Sequence, residues 1–106
     1  MKKVVLASLL GALSLSFAAQ AQETGTLKKI KDSGKITLGV RDASIPFSYL
    51  DDKQQYIGYS VELCDKIATA VQRKLGLTSM QRVYQPVTSA TRIPLMANGT
   101  IDLECG

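Results

Sequence analysis

Three side chains suited to binding an anion lie where predicted strands end. Arg41 directly follows residues 36–40, an apolar run of strand length, while Ser89 and Arg92 follow a second predicted strand, where a short helix begins. Ligands of open α/β sheets bind beyond the carboxyl ends of the strands, where hydroxyl, backbone N–H and guanidinium groups suit an anion. Each residue alone has a plainer interpretation, as a solvated arginine or a helix-capping serine. Their shared position favours one anion clamp.

Aromatic side chains flank the polar segment 51–55. Phe47 and Tyr49 precede the segment, and Tyr56 and Tyr59 follow it, an arrangement that predicts a β-hairpin. The four rings are typical either of the wall of a ligand cleft or of a cover over the end of the sheet, and core packing is the commoner role for any one of them.

Hydrophobic periodicity predicts the elements that position these side chains. The order strand, helix, strand implies a parallel pair with a right-handed crossover, so the expected fold class is α/β, a mostly parallel sheet flanked by helices. The predicted elements are a short helix at 26–33, a strand at 36–40, a helix at 61–75, a strand at 81–87, a short helix ending at 99 and a strand at 101–103.

The ends of the two later helices carry capping signals. Ser60 suits the N-cap of the long helix and Gly76 its end. The start of the short helix has two alternatives. A cap at Ser89 would put Pro94 where a backbone hydrogen bond is lost, whereas a cap at Thr91 puts the proline at the third helical position, where no donor is needed.

The first 21 residues have the pattern of a secretory signal peptide. Lys2 and Lys3 precede an uncharged apolar stretch at 4–17, and Ala19 and Ala21 occupy the positions that a signal peptidase recognises. The stretch is shorter than the about 20 residues of a membrane-spanning helix. We therefore expect cleavage near Ala21, export to the periplasm, and a mature part, residues 22–106, with room for one small core.

Charge and composition exclude several kinds of site. Without the two leader lysines, 13 basic and 9 acidic residues leave a net charge of +2, and the basic residues are scattered, so no nucleic-acid partner is expected. Lys28, Lys29 and Lys31 are interpreted as the solvated face of the first helix. The chain has no histidine, and its two cysteines and scattered carboxylates lack metal-ligand spacing, so neither a metal nor a cofactor is expected.

The two cysteines leave one question open. Cys64 falls on the apolar face of the predicted helix 61–75, where its simplest interpretation is a small buried hydrophobic residue. Cys105 follows the last predicted strand. Since export leads to an oxidising compartment, a Cys64–Cys105 disulfide is the alternative.

Five motifs together resemble one family. They are Ile-Thr-Leu-Gly-Val-Arg at 36–41, Pro-Phe-Ser-Tyr at 46–49, Gly-Tyr-Ser-Val-Glu-Leu at 58–63, Thr-Ser-Ala-Thr-Arg-Ile-Pro-Leu at 88–95 and Asn-Gly-Thr-Ile-Asp-Leu-Glu-Cys-Gly at 98–106. The combination resembles the polar amino-acid branch of the periplasmic solute-binding proteins, family 3, and within it the members that bind glutamate and aspartate.

The resemblance carries expectations about fold and function. It implies that residues 22–106 are the N-terminal part of the first lobe of a two-lobed, type II periplasmic binding protein, with the rest of that lobe and the second lobe absent. It also implies a monomer when full length, an acidic amino acid bound between the lobes, and delivery to the membrane permease of an ABC importer. Arg41, Ser89 and Arg92 match the clamp for the side-chain carboxylate, and Phe47 and Tyr49 match the cleft wall.

Two other functions remain to be weighed. Cyclohexadienyl dehydratases and some peptidoglycan lyases resemble this fold, and a fold does not fix a function. An enzyme would need an acid–base pair near its substrate, for which Asp42 and Glu104 are the candidates. The chain could also be a truncated fragment without function, with an exposed sheet edge.

Overall fold

A computed structural model describes residues 25–106, which form three helices and six strands. The predicted signal peptide, residues 1–21, lies outside the described residues. In chain order the elements are α1 (Gly25–Ser33), β1 (Lys35–Val40), β2 (Ala43–Ser44), β3 (Ser48–Leu50), β4 (Tyr56–Ile57), α2 (Tyr59–Lys74), β5 (Gln81–Pro86), α3 (Arg92–Ala97) and β6 (Leu103–Glu104). No helix among these residues is long and apolar enough to cross a membrane.

The main sheet has the order β5-β1-β6, and both pairings are parallel. β1 pairs with β5 along its whole length, whereas β6 pairs with β1 at only two positions, Leu38 with Leu103 and Gly39 with Glu104. The predicted α/β class and parallel pair are confirmed. We call the side where these strands end the carboxyl edge, and the side where they begin the amino edge.

A second, antiparallel sheet, β2-β3-β4, contains the predicted hairpin. The carboxylate of Asp51 shapes its turn by accepting hydrogen bonds from the N–H groups of Lys53 and Gln55, at 2.8 and 2.9 Å. β2 was not expected, because its two residues are too few to show the alternation of apolar and polar side chains that indicates a strand.

The long helix begins differently from the expectation. Ser60 is not its N-cap; the cap is Gly58, with φ 127°, and it makes no side-chain hydrogen bond. Carbonyls of the preceding loop satisfy the first N–H groups instead: Tyr59 donates to Pro46 and Ser60 to Phe47. A Cβ at position 58 would collide with the Phe47 carbonyl, so both conformation and space require glycine there.

The core lies between the buried face of α2 and β1. Val61, Ala68 and other α2 residues pack with Ile36, Leu38 and Val40, as the helix and strand periods predict. The interpretation of Cys64 as a free hydrophobic residue is wrong: it is buried, but it forms a disulfide with Cys105. The side chain of Cys105 reaches Cys64 because β6, in register beside β1, presents alternate residues to α2.

The start of α3 follows one of the two alternatives given by the sequence. Thr91 is the N-cap residue of α3, so Pro94 takes the third helical position. The last strand lies later than predicted, at Leu103–Glu104, because Ile101 donates its N–H to Leu95 of α3 rather than to β1. Lys29 also departs from expectation: its ammonium is not solvated alone but lies 2.6 Å from Asp102 Oδ1.

Candidate ligand-binding site

Arg41 leaves the end of β1 with its backbone fixed by one buried hydroxyl. The Arg41 N–H donates to Ser48 Oγ at 2.8 Å, and the Ser48 hydroxyl donates to the Arg41 carbonyl at 3.1 Å. Ser48 is fully buried at the start of β3. Because both backbone groups of Arg41 bond to one side chain, the direction in which its half-buried side chain leaves the sheet is restricted.

The guanidinium of Arg41 reaches the loop that follows β5. Its Nη2 donates to Ser89 Oγ at 3.1 Å. The contact follows from the register, since Val40 is paired with Pro86 and the two chains therefore leave the sheet side by side. The expectation that Arg41 and Ser89 meet at the carboxyl edge agrees with this geometry.

A cavity of about 270 Å³ lies at the same edge. Arg41 supplies its positive charge, and the other lining residues are Asp42, Ala43, Pro86, Val87 and Thr88. Ligand pockets commonly measure about 300–1,000 Å³, so this cavity is at the small end of the range. It is the size of part of a cleft for one small molecule.

Ser89 is free to bond Arg41 because another residue caps α3. Thr88 and Thr91 bond each other reciprocally, each N–H donating to the other's hydroxyl at 2.9 and 3.1 Å. The Arg92 N–H donates to the Thr88 carbonyl at 3.0 Å. The alternative in which Ser89 caps the helix is therefore not the observed arrangement.

Arg92 is the first residue of α3, and its side chain is half-buried. Among residues 25–106 its guanidinium has no hydrogen-bond or ion-pair partner, and it is not part of the cavity lining. Its backbone thus lies at the start of α3, and its charge has no partner within the described part of the chain.

The two aromatic candidates lie outside the cavity lining. Phe47 is 50% exposed in the loop before β3, and its carbonyl is used by the start of α2. Tyr49 is half-buried within β3, paired with Ala43 and Ile57. Their assignment to a cleft wall stays a prediction.

The two carboxylates considered as catalytic groups are each engaged locally. Asp42 accepts a hydrogen bond from the Tyr56 hydroxyl at 2.9 Å, and Glu104 accepts one from the Gly106 N–H at 2.8 Å. Burial, and then the hydrogen bond to the negatively charged Asp42, raises the pKa of Tyr56 above its ordinary value of 10.0. The phenol therefore stays protonated and holds Asp42 toward the hairpin.

Ser48 and Thr88 were not among the sequence candidates. A serine between two aromatic residues gives no sign that it will be buried, and its role depends on the backbone of Arg41, seven residues away. Thr88 could have been recognised, since it directly precedes Ser89 at the same strand end.

Comparison with known proteins identifies one family and relatives within it. The family model of bacterial extracellular solute-binding proteins, family 3, matches residues 36–106. Over 104 residues, 96% of the chain, the sequence is 53% identical to the L-glutamate/L-aspartate-binding protein of Pseudomonas aeruginosa, of which it covers 34%. It is 45% identical over 101 residues, 90% of the chain, to the glutamate/aspartate import solute-binding protein of Escherichia coli K12, of which it covers 33%. The chain thus spans about a third of these relatives' length.

The fold has matching neighbours among solved structures. The crystal structure of an ancestral amino acid-binding protein, a precursor of cyclohexadienyl dehydratase, superimposes with a TM-score of 0.64 at 24% identity. The match covers 77% of this chain and 33% of that one. At this identity the likeness concerns the fold alone.

Proposed function

The chain belongs to the bacterial extracellular solute-binding proteins of family 3, and on that premise we propose that it serves an amino-acid ABC importer, binding glutamate or aspartate through Arg41, Ser89 and Arg92. The binding is capture without chemical conversion. The protein works in the periplasm and hands its ligand to a membrane permease.

One observation carries the proposal. At the carboxyl edge, the hydrogen-bond partner of the Arg41 guanidinium is a neutral hydroxyl, Ser89 Oγ, at 3.1 Å. Among residues 25–106, neither Arg41 nor Arg92 forms an ion pair with a carboxylate. Arginine in proteins usually meets an anion through paired N–H donors. The charge left over beside a cavity supports an anionic ligand.

The same argument selects among amino acids. If Arg41 and Arg92 both turn to the ligand, as we propose, their guanidinium groups repel each other, and the side-chain cation of a lysine or protonated histidine ligand would add to that repulsion. A neutral amide such as that of glutamine would accept hydrogen bonds but would not cancel the charge. A side-chain carboxylate does both, so glutamate and aspartate are the preferred ligands.

The relatives support this choice by name, since both are glutamate/aspartate-binding proteins. The chain spans about a third of their length, and we propose that further groups that hold the ligand lie in the part of the relatives that this chain does not cover. We propose that the ligand lies between this lobe and a second lobe, which closes over it by a hinge motion as periplasmic binding proteins do.

Calorimetric titration of the full-length protein tests the proposal. Glutamate, aspartate, glutamine and histidine are titrated into the natural protein and into an Arg41→Ala, Arg92→Ala double variant. We expect the acidic amino acids to bind the natural protein and the double variant to lose about 2–5 kcal/mol of that binding, since truncating one side of a charge pair costs this much.

A matched control removes two positive charges elsewhere. Arg73 and Lys74 are exposed in the last turn of α2, so Arg73→Ala with Lys74→Ala changes the net charge equally without touching the cavity. This control should keep the natural affinity. Equal binding of glutamine or histidine, or an equal loss in both double variants, would contradict the clamp.

A further inference from the structure

We propose that the Cys64–Cys105 disulfide positions Arg41 for ligand binding, an inference that rests on the proposed function of that arginine. The bond joins the middle of α2 to the residue that follows β6. It lies in the core beneath the carboxyl edge and has no place in the site as described above.

The chain that carries Cys105 forms only a short strand ladder with β1. β6 has two residues paired with β1, compared with six pairs between β1 and β5. Hydrogen bonds from the Asp102 N–H to Thr37 and from the Cys105 N–H to Gly39, both 2.8 Å, extend this short ladder by one step at each end. The disulfide is the covalent attachment of this segment to the helix layer.

The end of this segment lies against the stem of Arg41. A Cβ built on Gly106 would be 3.2 Å from Arg41 Cγ, so the backbone just after the disulfide lies beside the aliphatic part of the arginine. The Gly106 N–H also donates to Glu104 Oε1 at 2.8 Å, which turns the chain over the end of β6. Movement of this segment would remove the support on one side of the guanidinium.

The other side of the disulfide leads back to the same residue. Cys64 belongs to α2, whose first N–H groups are held by Pro46 and Phe47. The next residue, Ser48, bonds both backbone groups of Arg41. The disulfide therefore closes a ring of contacts in which α2 supports the arginine backbone and Gly106 supports its stem.

Burial favours a positioning role over a redox switch. Cys64 is 4% exposed and Cys105 is 2% exposed, so a dithiol reductant has no direct access to either sulfur. The burial of both sulfurs therefore fits a structural bond rather than a regulated one.

The test compares two destabilised variants of the full-length protein. Cys64→Ala with Cys105→Ala removes the disulfide. Leu75→Ala is the control, since Leu75 is a buried residue that follows α2, at the amino edge of the sheet. For each variant, glutamate affinity is measured well below its unfolding temperature, and amide hydrogen exchange is measured without ligand.

We expect the disulfide variant to exchange faster at residues 39–42 and 103–106 and to bind glutamate at least about tenfold more weakly, because small displacements of a positioned group are costly. The Leu75 variant should unfold at a lower temperature but keep its affinity and its protection at these residues. Unchanged exchange in the disulfide variant, unchanged affinity, or a loss in the Leu75 variant proportional to its loss of stability would overturn the proposal.

The proposed function can fail separately. If the natural protein binds neither glutamate nor aspartate, the ligand assignment is wrong. The hydrogen-exchange data then test the disulfide separately. If the disulfide variant loses protection only at residues 39–42 and 103–106, the disulfide still supports Arg41. If protection there is unchanged, the disulfide does not have that role.

Discussion

The two edges of the parallel sheet have cavities of nearly equal size, but their charged groups differ in how they are paired. The cavity at the carboxyl edge measures about 270 Å³ and the one at the amino edge about 240 Å³. Each is lined by both basic and acidic side chains, which are Arg41 and Asp42 at the first and Lys29, Lys35 and Asp102 at the second. Cavity size therefore does not distinguish a ligand site from a structural cleft in this protein.

The difference lies in how each charge is satisfied. At the amino edge, Asp102 is 3% exposed, with Oδ1 2.6 Å from the Lys29 ammonium and Oδ2 accepting the Thr37 N–H at 2.8 Å. Lys29 also donates to the Gly99 carbonyl at 2.6 Å, which ties α1 to the loop after α3. At the carboxyl edge, Arg41 has only the neutral Ser89 among residues 25–106. The charge at the amino edge is thus paired within the fold, whereas the Arg41 charge has no ion-pair partner among these residues and fits the proposed anionic ligand.

The largest expected difference is between two variants that each remove one cation, one from each cavity. Arg41→Ala should weaken glutamate or aspartate binding by about 2–5 kcal/mol, because the ligand carboxylate would be left without its charged partner. Its effect on the unfolding temperature should be small, since the side chain is half-buried and has no ion pair among the described residues. Calorimetry and thermal unfolding measure the two quantities.

Lys35→Ala is the matched change at the amino edge. Lys35 is exposed and lines that cavity. Its removal should leave both affinity and stability close to natural values. An affinity loss as large as that of Arg41→Ala would mean that the two edges do not differ in function.

Removing the buried carboxylate of the amino edge should have the opposite signature. Asp102→Ala leaves the Thr37 N–H and the Lys29 ammonium without their partner, and we expect a loss of about 2–3 kcal/mol in the free energy of unfolding. Lys29 is 47% exposed and can regain water, so the loss should stay below that of a fully buried ion pair. Denaturant unfolding measures it.

The control for Asp102 is an aspartate whose side chain has no hydrogen-bond or ion-pair partner among residues 25–106. Asp52 is exposed in the hairpin turn, and Asp52→Ala should leave the unfolding free energy within about 0.5 kcal/mol of the natural value. Ligand affinity should be unchanged in both aspartate variants. A weaker affinity after Asp102→Ala would show that the amino edge is coupled to the site.

A smaller effect is expected from the neutral partner of Arg41. Ser89→Ala removes one hydrogen bond, worth about 0.5–1.5 kcal/mol, and should weaken acidic-ligand binding by about tenfold at most. Ser79→Ala, at an exposed position in the loop before β5, should leave affinity unchanged. If Ser89→Ala cost as much as Arg41→Ala, the hydroxyl rather than the charge would govern binding.

Local patterns predicted most of what builds the carboxyl edge. The alternation of Ile36, Leu38 and Val40 and the apolar face of α2 gave the parallel pair, and the rule for strand ends brought Arg41 and Ser89 to one edge. These inferences succeed because period and topology depend on residues close in sequence or on the order of elements.

The features that failed depend on contacts between distant residues. Lys29 bonds Asp102 and Gly99 across about 70 positions, and the disulfide spans 41. Ser60 does not cap α2, because carbonyls of the 46–47 loop accept the hydrogen bonds of the first N–H groups of the helix. The pairing of Lys29 with Asp102 depends on the alignment of β6 with β1. The contrast between the two edges could therefore not be derived from the sequence.

The smallest expected effect uses two tyrosines whose hydroxyl groups each donate a hydrogen bond to an aspartate. Burial, and then a hydrogen bond to a carboxylate, raises the pKa of Tyr56 through Asp42 and that of Tyr84 through Asp65. A raised pKa means that the unfolded state loses its proton first, so the stability from each bond is present below about pH 10 and falls as pH rises above it. Tyr56→Phe and Tyr84→Phe should each flatten this alkaline fall in the unfolding free energy, by less than about 1 kcal/mol because both bonds are solvent-exposed.

Ligand binding should separate the two tyrosines. Asp42 lines the carboxyl-edge cavity, whereas Asp65 lies on α2 and also pairs with Arg82 at 3.2 Å. Without Tyr56, the Asp42 carboxylate loses the bond that holds it toward the hairpin and is free to turn to the neighbouring Arg41, where it would compete with an anionic ligand. Calorimetry at pH 7 should therefore show weaker binding of glutamate or aspartate to Tyr56→Phe and unchanged binding to Tyr84→Phe. Equal affinities in both variants would mean that Asp42 does not reach Arg41 even when Tyr56 no longer holds it. The hydrogen bond from Tyr56 would then not be what keeps Arg41 unpaired.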